Sequence, residues 1–397
     1  MKARAVAART DILLNSISPI LEFFNESTWA RRFGQPGICD FTIGNPHDTP
    51  LQAFVEALQR STVPRDKYWF AYKMNEPAPR AVVAEALRKW RGVPFEPDDI
   101  FLTNGAIAAL AVVLATVVDP GDEVIFFSPP WFQYEGMIAN NNGAPVKLNI
   151  DMKTFDLDLE AIAAGISEKT RAVIVNSPHN PTGKIYPPET LEALAKMLTE
   201  ASERNGRTIY LISDEAYSRI IFDGRRYYSP TTFYPHTFLV YTYGKVLLTP
   251  GQRIGYIALP PHMPNRPVFR EVIPALQMLN GWSFPNAILQ HSLEDFEKIS
   301  VDIAHLQRKR DRMVGALRAM GYEASMPEGT FYVIVRSPLS DDEAFISLLA
   351  EYDIFCIPGW MMGIPGYFRI SLTASDEMID RALPGFEAAL HRAAGII

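Results

Sequence analysis

A lysine and an arginine eight residues apart are the first candidates for chemistry in this chain. Lys245 follows an apolar run at residues 238–243 that is typical of a buried strand, and Arg253 follows a loop with Pro250-Gly251. An amine at a strand end in apolar surroundings is costly to keep charged, so we expect its pKa to fall towards neutrality. Such an amine suits Schiff-base chemistry with an aldehyde cofactor. For this segment alone, the alternative is a surface lysine beside a surface arginine.

Gly105 and Trp131 each follow another strand-like run. Gly105 comes after the strand-like residues 100–103 and begins a helix rich in Ala, Val and Leu. A helix N-terminus with a glycine turn presents free N–H groups to an anion such as phosphate, although an ordinary strand–helix turn has the same pattern. Trp131 follows the strand-like residues 123–128, where its ring could lie against a planar ligand or could simply pack.

Asn180 and Asp214 follow two further strands. Asn180 lies in Asn176-Ser-Pro-His-Asn-Pro-Thr-Gly183, where two prolines and a glycine predict a rigid loop. Asp214 ends an apolar strand and is followed by Glu215-Ala-Tyr217. A metal site is not expected there because no histidine stands at ligand spacing. We interpret Asp214 as the buried partner of a protonated ring nitrogen.

Strands and helices alternate through this part of the chain, which predicts an α/β fold with a mostly parallel sheet between helices. The candidate residues all follow strands, and ligands bind beyond the carboxyl ends of such strands. After residue 260 the pattern changes, with a long helical stretch at 285–321 marking the junction to an α+β part. We expect a large domain at residues 47–284, with a seven-stranded type of sheet, and a smaller α+β domain formed by residues 1–46 and 285–397.

Arg369 lies in an apolar strand-like segment of the second domain. A buried guanidinium needs an anion, and it grips a carboxylate best in a bidentate manner, so we expect a substrate carboxylate or a structural ion pair. In the first 46 residues, Gly44 supplies a turn or allows a ligand to approach its backbone closely. The charged run at 307–312 is interpreted as a solvated helix face.

Composition limits the class of protein. The chain has 397 residues, a net charge of −7 and no basic tract, so a nucleic-acid partner is not expected. Its longest apolar run has 13 residues, from 106 to 118, too short to cross a membrane. Its 2 cysteines do not form a disulfide framework, and its basic N-terminus does not resemble a signal peptide. A cytoplasmic location is expected.

These motifs together resemble the class I/II group of pyridoxal-phosphate-dependent aminotransferases of fold type I, from about Gly44 to Arg369. The specific ones are residues 176–183, Asp214-Glu-Ala-Tyr217, and Lys245 followed by Arg253. The resemblance implies transfer of an amino group between an L-amino acid and a 2-oxo acid by a ping-pong mechanism, in a homodimer. A β-eliminating lyase or a cyclising synthase of the same fold is the alternative.

The resemblance also implies a role for each candidate residue. Lys245 would form a Schiff base with pyridoxal 5'-phosphate and move the substrate proton. Asp214 would keep the ring nitrogen protonated, Asn180 and Tyr217 would bind the phenolic oxygen, and Trp131 would stack on the ring. The implied phosphate ligands are Gly105, Ala106, Ile107, Thr242 and Arg253. The implied ligands of the substrate carboxylate are Arg369, Asn180 and Gly44.

Three positions depart from the family pattern. Gly244 stands where a serine often precedes the lysine, so one phosphate hydroxyl is missing. The segment in which a neighbouring subunit supplies a tyrosine to the phosphate reads Tyr68-Trp-Phe70-Ala-Tyr72, and we assign Tyr72, with Tyr68 or no tyrosine as alternatives. Asn75 replaces a common glycine.

Overall fold

The computed structural model describes residues 8–395, so residues 1–7, with the basic start of the chain, lie outside it. The strands are β1 (Cys39–Asp40), β2 (Ile100–Thr103), β3 (Glu123–Ser128), β4 (Ala144–Asn149), β5 (Thr170–Asn176), β6 (Tyr210–Asp214), β7 (Thr237–Thr242), β8 (Gly255–Ala258), β9 (Tyr332–Arg336), β10 (Ile354–Phe355), β11 (Ile357–Pro358) and β12 (Tyr367–Ser371).

Helices precede, separate and follow these strands. They are α1 (Ala8–Glu26), α2 (Thr28–Arg32), α3 (Gln52–Thr62), α4 (Pro77–Arg91), α5 (Gly105–Val117), α6 (Tyr134–Asn140), α7 (Leu159–Gly165), α8 (Pro188–Asn205), α9 (Tyr243–Val246), α10 (Arg266–Leu279), α11 (Ala287–His291), α12 (Leu293–Phe296), α13 (Ile303–Met320), α14 (Asp342–Ala350) and α15 (Asp376–Ala394). Short 3₁₀ turns are at Pro97–Asp99, Pro230–Thr232 and Gly359–Met362.

Seven strands form one sheet in the order β2-β8-β7-β6-β5-β3-β4. β8 runs antiparallel to both of its neighbours, β2 and β7, and the other pairs of this sheet are parallel. Alternate side chains of β5 enter different cores: Ile174 packs in a cluster with residues of α5, whereas Val173 and Val175 pack with residues of α8. Side chains of β5 thus point alternately to the two faces of the sheet, and helices cover both faces, as a buried parallel sheet requires. The predicted α/β fold is confirmed.

A second layer joins both ends of the chain. β1 pairs with β10, and β11, β12 and β9 form an antiparallel three-stranded sheet. Helices α13 and α15 pack against each other beside it. The N-terminal and C-terminal segments therefore meet in space, whereas the boundaries at 46/47 and 284/285 stay a prediction.

Two expectations about residues 285–321 are wrong. The stretch is not one long helix but α11, α12 and α13, because Asn286 and Asp302 cap separate helices and the Val301 N–H donates to the carbonyl of Val246. The charged run on α13 is also not fully solvated. Lys309 and Arg310 are 4% and 2% exposed, since each has polar partners in distant segments.

Within residues 8–395, the longest apolar helices fall short of what crossing a bilayer requires. Nor do any three of the described histidine, cysteine or acidic side chains come together in a way that could hold a metal ion.

Candidate functional site

The carboxyl edge of the large sheet holds a cavity that brings most of the candidate residues together. Nine residues named from the sequence line it: Ala106, Ile107, Trp131, Asn180, Asp214, Tyr217, Thr242, Lys245 and Arg253. They follow five different strands, and the parallel arrangement of β3, β5, β6 and β7 places those strand ends together. Gly105 and Arg369 contact lining residues without lining the cavity themselves, Gly44 lies against Phe331 and Tyr332, and Tyr72 lies elsewhere.

One end of the cavity is a cup of backbone N–H groups beside a guanidinium. Gly105 has φ +81°, and a Cβ built there would lie 2.8 Å from Nη2 of Arg253. A side chain at this position would therefore fill the cup. Burial lowers the pKa of the Arg253 guanidinium, whose Nη1 donates to the carbonyl of Pro250 at 2.6 Å. Arg253 and the free N–H groups at the start of α5 make this end favourable for an anion.

Lys245 lies on α9, the single helical turn that follows β7. Thr242 begins that turn, and its hydroxyl accepts the N–H of Gly244 at 3.4 Å and donates to the carbonyl of Ile254 at 3.2 Å. The Lys245 Nζ lies 5.6 Å and 5.8 Å from the ring centroids of Tyr217 and Phe331. The amine is thus enclosed by aromatic rings and directed into the cavity.

Asp214 is a buried carboxylate in the lining. Its Oδ2 accepts the hydroxyl of Tyr134 at 2.6 Å, and its Oδ1 accepts the N–H of Ala216 at 3.2 Å. Burial raises the pKa of the Asp214 carboxyl in spite of these donors and of the Lys245 charge. A cation in the cavity would compensate for that burial. The sequence assigns no role to Tyr134, because the aromatic residues after this strand could equally serve in packing.

Asn180 links the cavity to Arg369. The rigid loop is fixed from within: the Asn180 N–H donates to Asn176 Oδ1 at 2.7 Å, and burial lowers the pKa of His179 to about 3, so this ring is neutral. Nη1 of Arg369 donates to Asn180 Oδ1 at 3.3 Å, and Nη2 donates to the carbonyl of Thr42 at 2.9 Å. Arg369 is buried and its Nε has no hydrogen-bond partner among the described groups. The expected buried guanidinium therefore has unused donor capacity for an anion.

Tyr332 is a site residue that sequence reasoning missed. The guanidinium carbon of Arg369 lies 3.9 Å from its ring centroid, and a Cβ built on Gly44 would lie 2.6 Å from its hydroxyl oxygen. Burial alone would raise the pKa of the Tyr332 phenol, but the charges of Arg369 and Lys245 hold it below its ordinary value. Its position in an apolar strand gave no signal, since strand tyrosines are commonly core.

The aromatic segment 68–72 lies outside the cavity. Tyr72 is fully exposed, and Tyr68 and Phe70 are 62% and 55% exposed. Asn75 has a structural role: its Oδ1 accepts the N–H of Leu102 at 2.6 Å and its Nδ2 donates to Gln277 at 3.0 Å. The asparagine therefore fixes this segment to β2, which explains the departure from glycine.

Comparison with known proteins identifies the family of the chain that forms this cavity. Residues 36–386 match the profile of the family described as aminotransferase class I and II. The chain belongs to this family. It is 32% identical to the aspartate/prephenate aminotransferase of Thermus thermophilus, over 89% of this chain and 91% of that protein. The prediction of an aminotransferase is confirmed.

Solved structures of aminotransferases share the fold almost completely. An aspartate aminotransferase from Thermotoga maritima matches with a TM-score of 0.86 and 25% identity, over 97% of this chain and 100% of that one. An aromatic aminotransferase from Pyrococcus horikoshii matches with a TM-score of 0.81 and 26% identity, over 91% and 97%. Aminotransferases with different names thus share this architecture.

Proposed function

We propose that this aminotransferase binds pyridoxal 5'-phosphate in the cavity and transfers the amino group of an L-amino acid to a 2-oxo acid in two half-reactions. One observation carries the proposal. An amine, a buried carboxylate and a guanidinium, those of Lys245, Asp214 and Arg253, line a single cavity. The relatives named above are an aspartate/prephenate, an aspartate and an aromatic aminotransferase, so we infer an α-amino acid substrate and leave its side chain to experiment.

The residues present fit the cofactor at each of its polar groups. The cup at Gly105 and Arg253 suits a phosphate, and it has no side chain to obstruct it. Asp214 is a carboxylate whose burial is incompletely offset, and a protonated ring nitrogen would supply the missing positive charge. Asn180 and Tyr217 line the same cavity, and their amide and phenol groups can bind the ring oxygen.

The cofactor, when bound, supplies an aldehyde that condenses with amines and a ring that accepts an electron pair from the substrate. Asp214 holds positive charge at the ring nitrogen, which makes the ring a better acceptor. Arg369 orients the substrate by its α-carboxylate, with Asn180 and the Gly44 backbone beside it. Lys245 would move the α-proton of the substrate, because its amine lines the cavity at the turn that follows β7.

The proposed function is tested by the spectrum of the purified holoenzyme during a single half-reaction. Adding an L-amino acid donor without any oxo acid should convert the absorbance of the aldehyde form to that of the amine form, and a 2-oxo acid should restore it. A panel of acidic, aromatic and aliphatic amino acids identifies the donor. Release of ammonia without return of the aldehyde spectrum would indicate elimination and would refute transamination.

Replacing Arg369 with lysine tests the carboxylate site. We expect kcat/KM for the amino acid to fall by about 10²-fold, because lysine keeps the charge but loses the two-pronged contact. An amine that has the same side chain as the amino acid but lacks the α-carboxylate should react at the same low rate with the original enzyme and with the Arg369→Lys variant. The matched control is Arg392→Lys, at an arginine whose side chain is 51% exposed and paired with Glu351. An equal loss for both substrates would contradict the assignment.

We also propose that two copies associate through the exposed apolar residues around segment 68–74, with Tyr72 reaching the phosphate in the partner. Tyr72, Met74 and Leu279 are 106%, 52% and 80% exposed, and a second copy would cover this apolar surface. Light scattering should give the mass of a dimer. Tyr72→Phe should weaken cofactor binding about tenfold while Tyr68→Phe does not. The reverse pattern would assign Tyr68, and a monomer that retains full activity would refute the shared site.

Two coarser features complete the proposal. We propose that residues 47–284 act as the large domain and that residues 1–46 with 285–397 act as the small one, so limited proteolysis of the holoenzyme should cut near 46 or 284.

We place the enzyme in the cytoplasm, in keeping with 2 free, buried cysteines. Recovery of the native protein in a secreted fraction would contradict this location.

A further inference from the structure

A second cavity lies between the end of α4 and the loop that follows Tyr217. It has a volume of about 320 Å³, and its lining shares no residue with the active-site cavity. Four arginines line it: Arg91, Arg219, Arg225 and Arg226. No acidic residue of the described chain belongs to the lining, although the protein as a whole carries a net charge of −7. This cavity, the arginine cavity, therefore presents concentrated positive charge.

The arginines differ in how their charges are balanced. Arg91 and Arg219 are bound by Glu215 at 2.5 Å and Glu297 at 2.7 Å, acids that are themselves outside the lining. Arg225 is 50% exposed and lies 3.3 Å from Glu328. Arg226 pairs with no acid among residues 8–395 and lies 5.1 Å from the ring of Tyr228. The two deeper arginines are thus held rigidly, whereas the outer pair retains donors for a ligand.

Three buried donors of the lining residues lack partners: the hydroxyls of Ser218 and Tyr227 and Nε of Arg91. The hydroxyl of Ser218, a residue only 4% exposed, makes no hydrogen bond with any described group. Nε of Arg91 is also buried and without a hydrogen-bond partner in the described structure. Buried donors are nearly always satisfied, so these three groups need acceptors that the described protein does not supply. A hydroxyl and guanidinium groups that converge on one space match the several oxygens of a phosphate.

We propose that the arginine cavity binds the phosphate group of a small phosphate monoester. Ser218 and Arg91 contact the phosphate from inside, and Arg225 and Arg226 close over it from the rim. The volume is within the range of small-molecule pockets and leaves room for an organic group beyond the phosphate. The indole of Trp90, 61% exposed in the lining, offers that group an apolar surface. This inference does not rest on the transamination proposal.

The test is calorimetric titration of the holoenzyme with phenyl phosphate and, separately, with inorganic phosphate, at constant ionic strength set by chloride. One phenyl phosphate should bind per chain with saturation. Arg226→Ala and Ser218→Ala should each weaken its binding about tenfold. The matched control, Arg204→Ala, removes another exposed arginine charge and should leave binding unchanged.

A further variant separates this site from the cofactor cup. Arg253→Ala should leave phenyl phosphate binding intact, because Arg253 lines only the active-site cavity. Binding that is lost in Arg253→Ala but kept in Arg226→Ala would overturn the proposal. Absence of saturable binding, or binding of inorganic phosphate without the ester, would overturn it as well. Circular dichroism of each variant verifies that the fold is retained.

Discussion

Replacing Lys245 with alanine should lower the transamination rate by about 10⁴-fold or more, while the fold remains intact. The amine serves as both the covalent attachment point and the base, and each role contributes orders of magnitude to the rate. Alanine removes both roles but leaves the short turn of α9, since its neighbours Tyr243, Gly244 and Val246 are buried independently of the lysine head. The rate is measured as single-turnover conversion of an amino acid donor by saturated enzyme.

Lys184→Ala is the matched control for this variant. Lys184 follows the Asn180 loop but does not line the cavity, so its loss should change the rate by less than about twofold. Adding methylamine to Lys245→Ala should restore part of the rate if proton transfer is what the variant lacks. A Lys245→Ala enzyme with more than about one hundredth of the original rate would remove the lysine from the mechanism.

The sequence predicted the parts of the site that depend on strand ends. Lys245 and Asp214 each end or follow an apolar run, and parallel strands bring such positions to one edge regardless of the details of packing. Arg369 was predictable for a different reason, because a guanidinium in an apolar strand demands an anion. The structure gives it a neutral amide and a carbonyl as partners and leaves Nε free.

The parts that were missed depend on contacts between distant segments. Tyr332 lies against Arg369 because β9 and β12 are paired, and nothing local distinguishes it from a core tyrosine. Lys309 and Arg310 appeared solvated because their partners Ala374 and Asp223 are 65 and 87 residues away. The break before α13 likewise depends on a hydrogen bond from Val301 to Val246. Periodicity describes one element at a time and cannot reveal such partners.

Replacing Asp214 with asparagine should lower the rate by about 10³-fold with little change in shape. A buried carboxylate facing a ring nitrogen stabilises positive charge there, and an amide of equal size cannot. Burial raises the pKa of this carboxyl, so a cation in the cavity would stabilise its ionised form and the two charges would support each other. The variant should therefore bind the cofactor more weakly and should slow removal of the α-proton most of all.

Tyr134→Phe separates charge from hydrogen bonding at the same carboxylate. The Tyr134 hydroxyl donates to Asp214 Oδ2 at 2.6 Å, so its removal takes away one neutral donor and leaves the charge. We expect a loss of about tenfold, far less than for the asparagine variant. A deuterium isotope effect at the α-carbon should increase in Asp214→Asn, because proton removal becomes the slow step. If both variants lost activity equally, with unchanged isotope effects, Asp214 would serve to maintain the cavity instead of stabilising charge on the ring.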